Sequence, residues 1–111
     1  MSAEEFPAFH AHVYFDAASV EKARDICTRC SEKFGIRMGR MHERPVGPHP
    51  DFSCQLTVPA EKVGEVLTWL AFHRDGLVVF SHPNTADALT DHRDRAIWMG
   101  AVRPLDLGAL G

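Results

Sequence analysis

The chain lacks any strong excess of charge: 12 Lys and Arg stand against 15 Asp and Glu, a formal net charge of -3. There is no clustered basic face of the kind that grips nucleic acid, and no polybasic segment that would hold an anionic membrane. No apolar run approaches the length of a bilayer span, and the start MSAEEFPAFHAH has neither the basic lead nor the apolar stretch of a signal peptide. Cysteine is sparse and odd in number, three residues, which fits a reducing compartment better than a disulfide framework. These absences predict a cytoplasmic chain with no nucleic-acid or membrane partner. Repeats and low-complexity tracts are also missing. What remains is an ordinary globular composition, 45% apolar and 24% charged over 111 residues, enough for one domain (1–111) with its own core. Histidine is the exception, with seven residues, at positions 10, 12, 42, 49, 73, 82 and 92.

Residues 8 to 16 alternate, with Phe9, Ala11, Val13 and Phe15 on one face and His10, His12, Tyr14 and Asp16 on the other, the period of a half-buried strand. From Val20 to Phe34 the apolar positions recur at spacings of three and four, which predicts an amphipathic helix with Ser19 as N-cap and Gly35 as its stop. Residues 36 to 44 read as a second strand and 51 to 58 as a third, joined by the turn PVGPHP. Pro59 suits the first position of a second helix, whose stripe of Val63, Val66, Leu67 and Leu70 ends by Gly76. LVVFSH then reads as a nearly continuous apolar strand, residues 82 to 95 as a polar loop, and AIWMGAV as a last short strand. The order β-α-β-β-α-β is the ferredoxin-like arrangement: an α+β fold with one antiparallel sheet and both helices on one face. In that topology the first strand runs between the third and fourth, so the start of the first strand lies beside the end of the fourth.

That placement groups three histidines. His10 and His12, two apart on a strand, project to the same open face, and His82 approaches them from the neighbouring strand. An isolated His-x-His pair is more often a solvated or dimer-buried face than a ligand set, because a metal needs three or four donors; His82 supplies a third. Neutral imidazoles suit iron, zinc, copper or nickel, and ligand type alone does not choose among them. No carboxylate is placed to complete a two-histidine, one-carboxylate iron site, although Asp16, Glu43 and Asp91 are available. His49 enters the third strand at the end far from His82, so it is expected to face a substrate rather than a metal. His92 could act as acid or base, or cap a turn with Asp91. Arg40 shares its parity with His42 and Arg44 in the second strand, a row able to hold a carboxylate or to form a solvated edge. Trp98, beside the loop, could line a pocket. The Cys27-Thr-Arg-Cys30 spacing lies mid-helix on the apolar stripe rather than at a helix N-terminus, which favours core packing over redox or zinc chemistry. His73 falls at the end of the second helix, where a structural role prevails.

The ordered motifs HAHVYF (10–15), PVGPHP (45–50), WL (69–70), HPNT (82–85), DH (91–92) and WMG (98–100) resemble the DOPA 4,5-dioxygenase family over nearly the whole chain, from about Phe9 to Leu107. The resemblance implies a small, dimeric, ferredoxin-like protein that cleaves the catechol ring of DOPA or a related compound with dioxygen, in the extradiol manner, using ferrous iron. It implies that His10, His12, His49, His82 and His92 surround the metal and the catechol. On this reading His10, His12 and His82 hold the metal, with zinc or another divalent ion as substitutes. His49 and His92 carry the proton chemistry, and Tyr14, Arg40 and Trp98 contact the substrate. The alternatives from the residues alone are a non-catalytic dimeric module that binds a metal or small ligand, and a structural dimer whose histidines fill the subunit interface.

Overall fold

A computed structural model describes residues 6–110. Its elements are β1 (Phe9–Phe15), α1 (Val20–Phe34), β2 (Arg37–His42), β3 (Phe52–Val58), α2 (Val63–His73), β4 (Val79–Pro83), α3 (Ala88–Arg93) and β5 (Ile97–Met99). The five strands form one sheet in the order β2-β3-β1-β4-β5, every neighbouring pair antiparallel. The expected ferredoxin-like frame is therefore present, extended by β5 at one edge and by a third helix.

Alternation decides which residues face the helices. Ala11, Val13 and Phe15 of β1 and Cys54, Leu56 and Val58 of β3 meet Ala23, Ile26, Cys27 and Cys30 of α1 and Val66 and Leu70 of α2 in one apolar cluster. The three cysteines are free thiols in this core, as the mid-helix position of Cys27 and Cys30 predicts. Gly35 ends α1 in the left-handed region (φ 63) with its N–H donated to the Ser31 carbonyl, a conformation that costs a side chain without glycine's freedom about 1 kcal/mol.

Several boundaries differ from the sequence reading for local reasons. Ser19 stands at the cap position, but its hydroxyl is engaged with Asp16, accepting from the Asp16 N–H (2.9 Å) and donating to Asp16 Oδ1 (2.9 Å), so no side-chain cap forms. Pro59 has an extended ψ of 146° and precedes a short 3-10 turn (Ala60–Lys62) rather than occupying the first turn of α2. α2 stops at His73, because Asp75 (φ 48) and Gly76 (φ 82) already turn the chain left-handed. In β2, Met38 and Met41 both pack on the core although they are three residues apart; a bulge between them absorbs the extra residue. The segment 82 to 95 is not a loop throughout. Its centre is α3, capped by Asp87, whose carboxylate accepts from the Thr90 N–H (3.1 Å) and hydroxyl (2.6 Å).

Nor is the second face of the sheet open along its length. Tyr14, His12, Phe80 and His82 are all buried there. The covering comes from the segment carrying His49, from α3, and from the C-terminal stretch, which is tied to the His49 segment by the Asp106 N–H to Pro48 carbonyl bond (2.9 Å). Truncating Leu56, fully buried between sheet and helices, to alanine is expected to remove about 2 to 5 kcal/mol of stability, whereas Phe72→Ala, at a site 84% exposed, should change it by less than about 0.5 kcal/mol; urea unfolding of the two variants measures the contrast.

Candidate active site

β1 and β4 place the first three imidazoles. The antiparallel register sets His10 directly opposite His82 and His12 opposite Phe80, so the start of β1 lies beside the end of β4 as expected. One ligand nitrogen from each of His10, His12 and His82 lies within 4.8 Å of the others, a set that could hold a metal ion. His82 donates Nδ1–H to the Pro83 carbonyl (2.6 Å), which fixes its tautomer and leaves a lone pair on Nε2. That lone pair faces His12 Nε2 at 3.1 Å. Two imidazoles bound to one ion at about 2.1 Å keep their nitrogens roughly 3.0 to 3.4 Å apart across octahedral to tetrahedral angles. The His12–His82 spacing already has this value. Without an ion, a proton on His12 Nε2 bridges the pair.

Two further imidazoles descend from loop and helix. His49 is buried with its ring 4.1 Å from that of His12, and its Nδ1 is 2.7 Å from the Tyr14 hydroxyl. This corrects the sequence reading, which separated His49 from the cluster by placing it at the far end of β3: the turn closed by the His49 N–H on the Val46 carbonyl (3.0 Å) folds the side chain back over β1. His92 lies with its ring 3.9 Å from that of His82 and gives Nδ1–H to the Ala88 carbonyl one turn earlier (2.7 Å), so its Nε2 is also an acceptor. Five histidines thus share one site. His73 is elsewhere, stacked on Trp69 at 4.1 Å against the helices.

An aromatic floor runs beneath them. Phe80, fully buried, stacks on Trp98 at 4.3 Å and lies 5.7 Å from the His12 ring, and Tyr14 meets Trp98 edge-on at 6.2 Å. Tyr14 and Trp98 therefore lie beside the histidines. Arg40 does not: it is exposed, at the β2 bulge, and β3 lies between its strand and β1. The register shift between Met38 and Met41 falls at Arg40 itself. Phe80 escaped the sequence reading because the continuous apolar run LVVF hides which of its residues share a face with His82; counting back two from His82 would have found it.

The candidate carboxylates are spent on structure. Asp91, buried at 1% exposure, accepts from the Thr85 N–H (2.6 Å) and hydroxyl (2.8 Å) and from Arg95 (2.9 Å). Asp16 serves the turn before α1, and Glu43 is exposed. Among the described residues the grouped donors are imidazoles alone.

Burial governs the electrostatics. It pushes His49 and His82 down to about 4, helped at both by nearby His92 and His10, while the bond to the Pro83 carbonyl partly offsets the effect at His82. His12 falls well below the ordinary value through burial first and then through His49, His82 and His10. His10 shifts down for the same leading reason. Burial, with the Asp51 charge, raises the Tyr14 phenol. At His10, His12, His49 and His82 the shift favours the uncharged ring, the form in which imidazole ligates a metal or accepts a proton.

Comparison with known proteins now adds to this geometry. The family model described as "Dopa 4,5-dioxygenase family" matches residues 9–109. The chain belongs to this family. Dopa 4,5-dioxygenase family relatives include a DOPA 4,5-dioxygenase from Amanita muscaria, 33% identical over 96% of this chain and 50% of that protein. An uncharacterized 21.2 kDa protein from Botryotinia fuckeliana is 38% identical over 90% of this chain and 61% of its own length. The chain thus spans about half to three-fifths of these fungal relatives. A crystal structure from Nostoc punctiforme, provisionally assigned as a dioxygenase, superposes with a TM-score of 0.83 at 38% identity, covering 99% of this chain and 96% of that one.

Two outcomes test the site. His12→Ala and His82→Ala should each reduce metal content to background while His73→Ala retains it, measured by elemental analysis of untagged protein; equal content in all three would dissolve the proposed cluster. The second concerns acid. With chelator present, between about pH 6.5 and 4 the unfolded chain takes up protons at His49 and His82 that the folded chain refuses, so stability is full above this window and falls as pH drops through it. Each such proton gives a slope of about 1.4 kcal/mol per pH unit. Urea midpoints across pH should show it, with a shallower slope in His49→Gln.

Proposed function

We propose that this chain is a non-haem, iron-dependent extradiol dioxygenase that opens the ring of DOPA or a related catechol, working in the cytoplasm as a homodimer of single-domain subunits. The observation that carries the reading is the meeting of three strand imidazoles at ligand spacing with two more at their rim. In such a reaction both atoms of dioxygen enter the product as the carbon–carbon bond beside the hydroxyls breaks, so no external reductant is consumed. Ferrous iron on His10, His12 and His82 would supply open positions for the two catechol oxygens and dioxygen.

The remaining roles belong to the chain's own groups. His92 is suited to take a catechol proton, since its Nδ1–H is committed to the Ala88 carbonyl and its Nε2 is free to accept. His49 can take or return a second proton, its ring oriented by the Tyr14 hydroxyl. Trp98, backed by the buried Phe80, offers a flat apolar surface against which an aromatic ring lies. Burial around His12 and His82 excludes water from the reacting centre.

The all-imidazole donor set favours one second reading, a non-catalytic module that holds zinc or another divalent ion or a small ligand. A single experiment separates the two. Stripped, untagged protein reconstituted anaerobically with about one ferrous ion per chain should, on mixing with a catechol and air, consume one dioxygen per catechol and turn yellow. Tight stoichiometric metal with no oxygen uptake across a broad catechol panel would replace the enzyme by the binding module.

A further inference from the structure

Beside His92 lies an open hollow of about 200 Å³, lined by His92, Trp98, Val102, Leu105 and Leu107, with Arg103 also among its lining residues. A cavity of about 150 Å³ holds a benzene molecule, so a single aromatic ring fits. Arg103 also lines a second hollow of about 210 Å³ that it shares with Tyr14 and Asp51. Arg103 therefore borders both spaces. Its Nε–H and Nη2–H are donated to Asp51 Oδ2 (2.8 Å) and Oδ1 (3.1 Å), a two-point pairing that fixes the plane of the group. A guanidinium carries five N–H donors, and the Nη1 edge of Arg103 takes no acceptor among the described residues. Asp51 begins the approach to β3 only two residues after His49, so the cation is anchored to the same segment that carries the buried imidazole.

We propose that Arg103 is the specificity-determining residue of this cleft: its free edge binds a carboxylate carried on the short side chain of an aromatic substrate whose ring lies in the apolar hollow beside Trp98, with Asp51 as its positioning residue. This deepens, and rests on, the catechol reading above. Arg93 reaches the same hollow, but it is paired with its exposed chain neighbour Asp94 (2.8 Å), a local and solvated pair with no anchor in the sheet.

The test uses two probes without catechol oxygens, so that it is independent of metal and of turnover. Hydrocinnamate and its uncharged counterpart phenylpropanol are titrated calorimetrically into the metal-free chain. Hydrocinnamate should bind roughly ten- to a hundredfold more tightly, the range of a charge-assisted hydrogen-bond pair. Arg103→Gln should erase the preference, Arg103→Lys, which keeps an ion pair with Asp51, should leave an intermediate one, and Arg93→Gln should leave it whole. Equal binding of the two probes, an unchanged preference in Arg103→Gln, or its loss in Arg93→Gln would overturn the assignment. With ferrous protein and air, the same substitution should raise KM for dihydrocaffeate about tenfold or more and leave methylcatechol unchanged. Oxygen uptake with neither catechol, alongside intact hydrocinnamate selectivity, would count against the dioxygenase reading while sparing Arg103.

Discussion

The antiparallel pairing of β1 with β4 is the constraint on which the site hangs. It sets His10 opposite His82 and brings the His12 ring within bonding distance of the same partner, and it is reinforced by the Ser81 hydroxyl donated to the His10 carbonyl (3.0 Å). Because side chains alternate along a strand, slipping this register by one residue would send His82 to the helix face and Ser81 to the histidine face. The core holds the register in turn: Val13 and Val79 of the two strands lie in one apolar cluster with both helices. The same alternation that builds the hydrophobic interior thus aims the imidazoles the other way.

Gathering five histidines where three are buried is possible because burial drives the three buried rings toward their neutral form. Burying unpaired cations would be severely unfavourable, and no carboxylate is inserted to balance them; desolvation instead keeps the rings neutral. Hydrogen bonds from Nδ1 to backbone carbonyls at His82 and His92 then select which nitrogen faces the centre. The carboxylate closest in sequence, Asp91, works through the backbone: by holding Thr85 and Arg95 it fixes the segment from which α3 presents His92.

Much of this was legible in the residues. Strict alternation in FHAHVYF and the three-and-four spacing of α1 gave both faces of β1 and the first helix, and the element order gave the neighbours of β1, hence the approach of His82. What alternation could not reveal were features set by non-local geometry. The path of PVGPHP back over β1 depends on a turn and on the clasp to residues 103 and 106, which no local period encodes. α3 is six residues long, too short to leave a recognisable apolar stripe, and its polar sequence reads as loop. The β2 bulge sets Met38 and Met41, three residues apart, on the same core face, which a strict period of two does not anticipate. Arg103 and Asp51, 52 residues apart, carried no pairing signal in a single sequence.

The bulge in β2 also bears on how the sheet ends. A regular edge strand offers a row of free N–H and C=O groups on which another strand can add, the usual first step of edge-to-edge aggregation. Here one edge is interrupted between Met38 and Met41, and the opposite edge, β5, is only three residues long. Neither margin presents a straight template of useful length, so this small antiparallel sheet is protected against growing strand by strand when the protein is concentrated.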